Sequence, residues 1–498
     1  MLATSSRRRP LGRTIVHLGL VLALAFAALA GAGGYWAVVR SVDLARSPYD
    51  PAVIKAARTV PRGSIVDRDG VWLARNKRDA NGELFRVYRG PAISQVIGYA
   101  SARYGRAGLE AAYDAALAGL AGDPLADALR KFGTDPYDPK DLQLAISWDL
   151  QRAAVRALGD RRGAVVMLDP RTGEVLALAS TPTYDASAIA DPSSADATFR
   201  DLQADSRQPL LPRATLGRYV PGSVFKIVTA IAGLGSGAIT PATTYREQPA
   251  AETDGLLVEG FRIRDGHHPQ TGERRLDFVD ATEVSCNIWY ALTGLRTGGT
   301  ALVDFAGRLG FGATLPFDLP TAVSQVTDGS GPAAGGFVDD VELANAAYGQ
   351  AETFVTPLQM ALVAATVADD GQLMRPRLVT AITGRGGTRQ LGPSTIRQVI
   401  DAGTANEITA AMVQAVEGPL GRRFTTGAKV PGVTTAGKSG TAELGGKGEP
   451  HSWFIGFAPA DQPRIAIAVL VEQAGRGAEV AAPIAGDLMA RYLAANGG

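Results

Sequence analysis

A long apolar run lies near the N-terminus, between Thr14 and Val39, and only His17 and small residues interrupt it. Four arginines precede it, at positions 7, 8, 9 and 13. About 20 apolar residues can cross a bilayer as a helix, and arginines on one side indicate that this side stays in the cytoplasm. The pattern predicts a cytoplasmic tail over residues 1–13 and a membrane anchor over 14–39. A cleaved signal peptide is the competing interpretation, because Ala28-Leu29-Ala30 resembles a cleavage site.

Further along, apolar residues form short continuous runs at two places. Residues 163–169 and 174–180 flank a Pro-Arg-Thr-Gly turn, and residues 452–457 and 464–472 flank a proline-containing turn. Each pair predicts a hairpin of buried strands. Helical spacing predicts helices over 223–234, 281–295, 340–348, 357–368, 406–417 and 481–493. Strands at both ends of a helical stretch indicate an α+β fold, with a mainly antiparallel sheet covered by helices.

The region before residue 150 shows shorter elements. Residues 62–74 read as two strands around an Asp-Gly turn, and residues 104–114 as a loop entering a helix. Asp149 is the predicted N-cap of a helix over 150–158 that joins this region to the rest. Neither 62–74 nor 104–114 has the residue types or spacing of a metal or nucleotide site. We therefore expect a small non-catalytic module next to the membrane.

The residue composition, net charge and cysteine count limit the classes of function that this chain can have. The 498 residues are 46% hydrophobic and 20% charged, which suits a globular protein of two or three folding units. The net charge of +1 provides no overall field that would attract nucleic acid. Cys286 is the single cysteine, so no intramolecular disulfide can form. It is interpreted as a small buried residue rather than a nucleophile, since no histidine lies near it in sequence to lower its pKa.

The candidate chemistry begins at Ser223. It follows Pro221-Gly222 at a predicted helix start, where free N–H groups favour a developing anion. Lys226 lies one helical turn away on the same face and can activate the serine if burial lowers its pKa. Alone, a Ser-x-x-Lys spacing is a weak signal.

Two further short motifs follow. Ser285 and Asn287 carry a hydroxyl that could relay a proton and an amide that could bind a peptide. In the stretch Lys438-Ser439-Gly440-Thr441, the glycine of a predicted strand would let a substrate backbone approach. The N–H groups of Thr441 and Ser223 could form an oxyanion hole. Each motif alone has an ordinary structural interpretation, as a helix cap or an edge strand.

Together, in this order, the three motifs resemble those of the penicillin-binding protein and serine β-lactamase superfamily. Further stretches resemble the transpeptidase domain of class B penicillin-binding proteins: Arg213-Ala214, Tyr219–Lys226, Ala347–Gln350, Thr356–Ala361 and Trp453–Pro459. Residues 62–70 and 108–114 resemble that class's membrane-proximal module. The chain departs from the pattern at Val220, where proline is common, and at Ser439, where threonine is common. Neither change removes a required chemical group.

The resemblance implies a peptidoglycan D,D-transpeptidase domain over 151–498, with a five-stranded sheet, after a pedestal over 40–150. It implies Ser223 as nucleophile, Lys226 as base, Ser285 as proton relay and Lys438 as an electrostatic group. It also implies that Asn287, Ser439, Gly440 and Thr441 bind the D-Ala-D-Ala end of a stem peptide. β-Lactams would react as donor analogues. No cofactor or metal is implied, and a polytopic membrane glycosyltransferase is the expected partner, because no segment before 150 is large enough for that activity.

The resemblance leaves three alternatives to a transpeptidase. A serine β-lactamase would need rapid hydrolysis of its acyl-enzyme, and the expected anchor and pedestal disfavour it. A β-lactam sensor would need more membrane helices and a cytoplasmic effector, for which the short tail leaves no room. A catalytically idle scaffold would have no reason to keep all three motifs. The rate at which a fluorescent penicillin label is lost distinguishes a β-lactamase, which loses it rapidly, from a transpeptidase.

Overall fold

The computed structural model describes residues 11–35, 61–78, 82–120, 137–265, 268, 271–272, 274–420, 426–446 and 448–497. Helix α1 (Leu11–Gly34) contains the 19-residue stretch Ile15–Gly33, which is long and apolar enough to cross a membrane. Their side chains are exposed in the structure. Residues 36–39 of the predicted anchor lie outside the described part of the chain.

The remaining described elements are as follows. The strands are β1 (Ile65–Val66), β2 (Trp72–Arg78), β3 (Leu84–Tyr88), β4 (Ala100–Ser101), β5 (Gly105–Arg106), β6 (Asp141–Leu144), β7 (Gly163–Leu168), β8 (Val175–Thr181), β9 (Leu256–Val258), β10 (Phe261–Ile263), β11 (Gln372–Met374), β12 (Val379–Gly384), β13 (Gly387–Gln390), β14 (Thr395–Gln398), β15 (Ala436–Ala442), β16 (His451–Ala458) and β17 (Ile465–Val471). The helices are α2 (Ser94–Ile97), α3 (Gly108–Ala112), α4 (Asp114–Leu117), α5 (Trp148–Leu158), α6 (Ala186–Ala190), α7 (Ala195–Ala204), α8 (Arg213–Leu216), α9 (Lys226–Gly235), α10 (Gln248–Asp254), α11 (Phe278–Val284), α12 (Asn287–Thr297), α13 (Gly299–Arg308), α14 (Asp340–Ala346), α15 (Pro357–Ala368), α16 (Ala402–Glu417) and α17 (Ala481–Ala495). Short 3₁₀ turns occur at Pro91–Ile93, Gly222–Phe225, Ala334–Gly336 and Thr426–Ala428.

The central sheet of the larger unit has five strands in the order β15-β16-β17-β7-β8, and every pair is antiparallel. It joins the two predicted hairpins, so both hairpins and the predicted α+β sheet are confirmed. Alternating side chains of β17 enter opposite faces: Ile467 packs with α5 and α17, whereas Ala468 packs in the core that contains α15. The sheet therefore lies between two helical layers, and β15 forms one of its edges.

A second, six-stranded sheet has the order β13-β12-β6-β1-β2-β3. The predicted pair of strands around the Asp-Gly turn is confirmed as β1 and β2. The hairpin β12–β13 was not predicted. Its strand β12 pairs with β6 although more than 230 residues separate them. The backbone N–H and C=O groups of β6 that face away from β1 are the hydrogen-bonding partners of β12. The pedestal sheet is thus completed by strands from the later part of the chain.

A buried ion-pair cluster holds the six-stranded sheet to α3. The fully buried Glu110 accepts hydrogen bonds from Arg62 Nε at 3.0 Å and Arg86 Nε at 2.5 Å. Burial raises the pKa of Glu110, but the two guanidinium groups outweigh it and hold that pKa below its usual value. The 62–70 and 108–114 stretches are therefore joined to each other by this charge cluster.

Two local predictions were wrong. The helix expected to be capped by Asp149 begins at Trp148 after Ser147, and Asp149 lies in its first turn. Instead, Asp67 of the pedestal accepts the Trp148 N–H at 3.0 Å, so a distant carboxylate satisfies the helix start. The single helix predicted over 281–295 is two helices, α11 and α12. They are separated at Ser285, whose φ of 63° lies in the left-handed region.

Other predicted helices hold within a few residues. The helix over 357–368 is observed with those bounds, since Thr356 caps it and Pro357 occupies its first position. The helix predicted from 223 begins as a 3₁₀ turn at Gly222–Phe225 and continues as α9. Those predicted over 340–348, 406–417 and 481–493 correspond to α14, α16 and α17.

Candidate active site

Ser223 lies in the 3₁₀ turn that leads into α9, packed against the edge strand β15. Gly222 has a φ of +57°, and a Cβ built on it would lie 2.8 Å from Thr441 O. Its N–H donates to Gly349 O at 2.9 Å, and Trp453 Nε1 donates to Val220 O at 3.0 Å. Glycine is thus required before the serine, both for its backbone conformation and for the close approach of β15. These contacts hold Ser223, which is partly exposed, beside the Thr441 backbone.

Lys226 is fully buried one turn beyond Ser223. Its Nζ donates to Ser285 O at 2.5 Å, to Ser285 Oγ at 3.2 Å and to Asn287 Oδ1 at 2.8 Å. Burial lowers the pKa of Lys226 to about 8, although the negative charge of Asp265 and the Cys286 side chain act in the opposite direction. The ammonium is therefore easier to deprotonate than an exposed lysine, as the sequence analysis required.

Ser285 connects the two lysines of the predicted site. Lys438 Nζ donates to Ser285 Oγ at 2.8 Å, and Lys226 Nζ donates to the same oxygen. Lys438 is buried, and its pKa is lowered well below the usual value by burial and then by the nearby Lys226 cation, with Asp265 opposing. The left-handed conformation of Ser285 ends α11 and places its hydroxyl within reach of both amines. A hydrogen-bonded path runs from Lys226 through Ser285 to Lys438.

Asn287 begins α12 with its side chain in the site. Its Oδ1 accepts from Lys226, and its Nδ2 donates to Arg264 O at 3.4 Å. The backbone of the next residue is also fixed, because Ile288 N donates to Asp265 Oδ2 at 3.2 Å. The loop after β10 therefore fixes the start of α12 and with it the Ser285–Asn287 segment.

The stretch from Lys438 to Thr441 lies in β15. Ser439 is buried, whereas Thr441 is exposed. A Cβ on Gly440 would lie 2.9 Å from Pro221 O and 3.1 Å from Val224 Cγ1, so this glycine lets the Ser223 turn pack closely. The structure thus brings all eight predicted site residues to one edge of the five-stranded sheet. Hydrogen bonds join Lys226, Ser285, Asn287 and Lys438; Ser223 Oγ is not among the acceptors of Lys226 Nζ.

Cys286 of the Ser285–Asn287 segment belongs to a group of side chains whose proximity no pattern in the sequence indicates. Glu252, His268 and Cys286 offer ligand atoms within 4.8 Å of one another and are residue types that can bind a metal such as zinc. His268 Nε2 also lies 3.5 Å from Asp265 Oδ1. Only folding brings the histidine, 18 positions before Cys286, beside it.

Cys286 itself is fully buried, as predicted. Burial raises the pKa of its thiol well above the usual value, and the carboxylates of Asp265 and Glu252 act in the same direction. The nearby histidine therefore does not make it a thiolate, and the interpretation against a second nucleophile agrees with this environment.

Comparisons with known proteins agree with this architecture. Residues 163–490 match the penicillin binding protein transpeptidase domain, and residues 62–136 match the penicillin binding protein A dimerisation domain. The chain is 34% identical over 475 residues to the peptidoglycan D,D-transpeptidase PbpA of Mycolicibacterium smegmatis, covering 90% of this chain and 92% of the relative. It is 30% identical to the peptidoglycan D,D-transpeptidase MrdA of Acinetobacter baumannii, covering 76% and 59%.

Solved structures match as well. The penicillin G acyl-enzyme complex of penicillin-binding protein A from M. tuberculosis superposes with a TM-score of 0.75 at 31% identity, over 87% of this chain and 99% of that one. The D,D-transpeptidase domain of an Eggerthella lenta peptidoglycan glycosyltransferase gives 0.74 at 29% identity, over 88% and 99%. With its transpeptidase and dimerisation domains both matched, this chain belongs to the penicillin-binding protein family.

Proposed function

We infer that this protein is a serine-type, penicillin-sensitive peptidoglycan D,D-transpeptidase that cross-links stem peptides in cell-wall synthesis. The observation that carries this is the Lys226–Ser285–Lys438 path beside the Ser223 turn. It brings a partly exposed hydroxyl, a buried amine of lowered pKa and a proton relay to one sheet edge. Those are the parts that nucleophilic acyl transfer needs.

In the first half-reaction, Ser223 Oγ attacks the carbonyl between the last two D-alanines of a donor stem peptide. Neutral Lys226 accepts the serine proton, the new C–O bond forms, and the peptide C–N bond breaks. Ser285, which is hydrogen-bonded to both lysines, passes a proton to the leaving D-alanine. Lys438, whose Nζ donates to Ser285 Oγ, tunes the electrostatic field at the reacting centre. An amine of a neighbouring strand then attacks the acyl-enzyme, forms the cross-link and releases Ser223.

The remaining residues bind the donor. Asn287 hydrogen-bonds the peptide backbone, while Ser439 and Thr441 bind the terminal carboxylate. Gly440 leaves room at the edge of β15 for the extended peptide, and the N–H groups of Ser223 and Thr441 stabilise the tetrahedral oxyanion. β-Lactams enter because they resemble this donor, and they acylate Ser223 in the same way.

The cellular setting is part of the proposal. Helix α1 would be a retained single anchor in the cytoplasmic membrane, with the pedestal over 40–150 and the catalytic domain over 151–498 outside the cytoplasm. A polytopic membrane glycosyltransferase would polymerise the strands that this protein cross-links. That partner is inferred by analogy with class B enzymes.

Turnover of a synthetic pentapeptide donor with an amine acceptor tests the activity. We expect D-alanine release and a cross-linked product, both dependent on Ser223. Ser223→Ala should abolish both, whereas Ser236→Ala, at the exposed far end of α9, should leave them unchanged. Equal turnover by the Ser223→Ala protein would contradict the proposal, and hydrolysed donor without cross-linked product would favour a carboxypeptidase.

A further inference from the structure

The loop between β17 and α17, residues 472–480, lies against the ends of β15 and β16. The fully buried Ser452 of β16 holds this loop in place through two hydrogen bonds. Ser452 Oγ donates to Arg476 O at 3.2 Å and accepts from Ala481 N at 3.1 Å. Because Ser452 pairs with Thr441 in the sheet, these hydrogen bonds hold the loop next to Thr441.

Gly477 makes the closest approach of this loop to the active-site strand. A Cβ on Gly477 would lie 2.3 Å from Gly440 O and 2.4 Å from Trp453 O, both backbone atoms that cannot move aside cheaply. A Cβ built on Gly440 would meet Pro221 and Val224, which flank Ser223. The strand segment at Gly440 is therefore in contact with the Ser223 turn and with Gly477.

The polar contact of Gly477 reaches a residue of the binding site. Gly477 N donates to Thr441 Oγ1 at 3.3 Å. A hydroxyl has one proton and two acceptor lone pairs, so accepting from Gly477 leaves the Thr441 proton available for another acceptor. Thr441 is exposed at the sheet edge, where that acceptor can be a ligand.

We propose that Gly477 is a positioning residue for the transpeptidase reaction: its N–H orients the Thr441 hydroxyl so that the hydroxyl donates to the terminal carboxylate of the donor. The inference rests on the proposed function, in which Thr441 binds that carboxylate. The loop 472–480 then sets recognition of the donor's anionic end without touching the substrate.

The test compares penicillin G with its methyl ester, because the ester lacks the carboxylate that Thr441 would bind. Second-order acylation rates are measured for the full chain and for Gly477→Ala. Alanine keeps the backbone N–H, but its Cβ would clash with Gly440 O and Trp453 O, so the N–H must move away from Thr441 Oγ1. Loss of that oriented hydrogen bond should slow the free acid by roughly three- to tenfold, and the ester rate should change much less. Gly446→Ala is the matched control, because a Cβ there meets nothing within 4 Å.

A double-mutant cycle separates positioning from general damage to the fold. Thr441→Val removes the hydroxyl, so in that background Gly477→Ala should no longer change the acid-to-ester ratio. Ser452→Ala loosens the same loop without adding atoms, and it should lower the ratio too if Gly477→Ala does not fold. The proposal is overturned by equal slowing of acid and ester, by an unchanged ratio in both variants, or by an undiminished Gly477→Ala effect in the Thr441→Val background. Failure of the unmodified protein to be acylated at Ser223 would instead refute the proposed function.

Discussion

The environment of Lys226 makes the pH dependence of acylation the sharpest consequence of the structure. The amine must be neutral to accept the Ser223 proton, so the rate should follow the neutral fraction of this lysine. With a pKa of about 8 rather than 10.5, about one tenth of the amine is neutral at pH 7, roughly 300-fold more than for an exposed lysine. Burial, the main cause of this lowered pKa, therefore increases the fraction of Lys226 that can accept a proton at neutral pH.

The expected profile has a definite sign and size. As pH rises, the rate should increase about ninefold from pH 6 to 7, about fivefold from 7 to 8, and less than about twofold from 8 to 9. Stopped-flow acylation by a fluorescent penicillin measures this directly. Circular dichroism over the same range checks that the fold is unchanged.

Lys226→Arg is the matched control, since it keeps a positive charge but cannot lose a proton in this range. It should be almost inactive at every pH. A wild-type rate that is flat between pH 6 and pH 8, or that falls as the pH rises over this range, would show that Lys226 acts as a cation, and the assignment of Lys226 as base would then be wrong.

Three other perturbations test separate parts of the account. Lys438→Ala removes the amine that donates to the Ser285 hydroxyl and should slow acylation by about two orders of magnitude. A rate within about threefold of wild type would make Lys438 an ordinary strand residue. Glu110→Ala removes the carboxylate that pairs with the buried Arg86, while Arg62 keeps its second partner Asp114. It should lower the free energy of unfolding in urea by about 3–5 kcal/mol, whereas Asp196→Ala at the exposed pair with Arg103 should have a much smaller effect. N-terminal sequencing of membrane-extracted protein should find the uncleaved chain, and a mature start near Gly31 would identify α1 as a signal peptide.

The elements that the sequence predicted are those set by local patterns. The two hairpins follow from continuous apolar strands around turn residues, and α15 follows from a Thr-Pro start and uninterrupted apolar spacing. The family follows from three short motifs in a fixed order. Each strand pair, helix start and motif is a run of consecutive residues, and the order of the motifs is read along the chain, so none of these signals depends on tertiary contacts.

What the sequence did not predict depends on contacts between distant segments. Asp67, which follows β1, accepts the N–H at the start of α5, and β12 pairs with β6 although more than 230 residues separate them. Ser285 adopts a left-handed conformation inside an apparently continuous helical pattern, where the surrounding lysines use its hydroxyl. His268 joins Cys286 only through folding. The chemical roles of the eight site residues and the domain boundaries at 13, 39 and 150 remain predictions.

The central claim is that Ser223 is the nucleophile, and time-resolved intact-mass spectrometry of the full chain mixed with penicillin G tests it most directly. The account predicts one long-lived adduct per chain, mapped by proteolysis to the peptide that contains Ser223. Ser223→Ala should give no adduct while keeping its fold, because the only atom that forms the bond is gone. An adduct on another residue, or undiminished labelling of Ser223→Ala, would contradict the claim, and loss of the wild-type adduct within seconds would favour a β-lactamase.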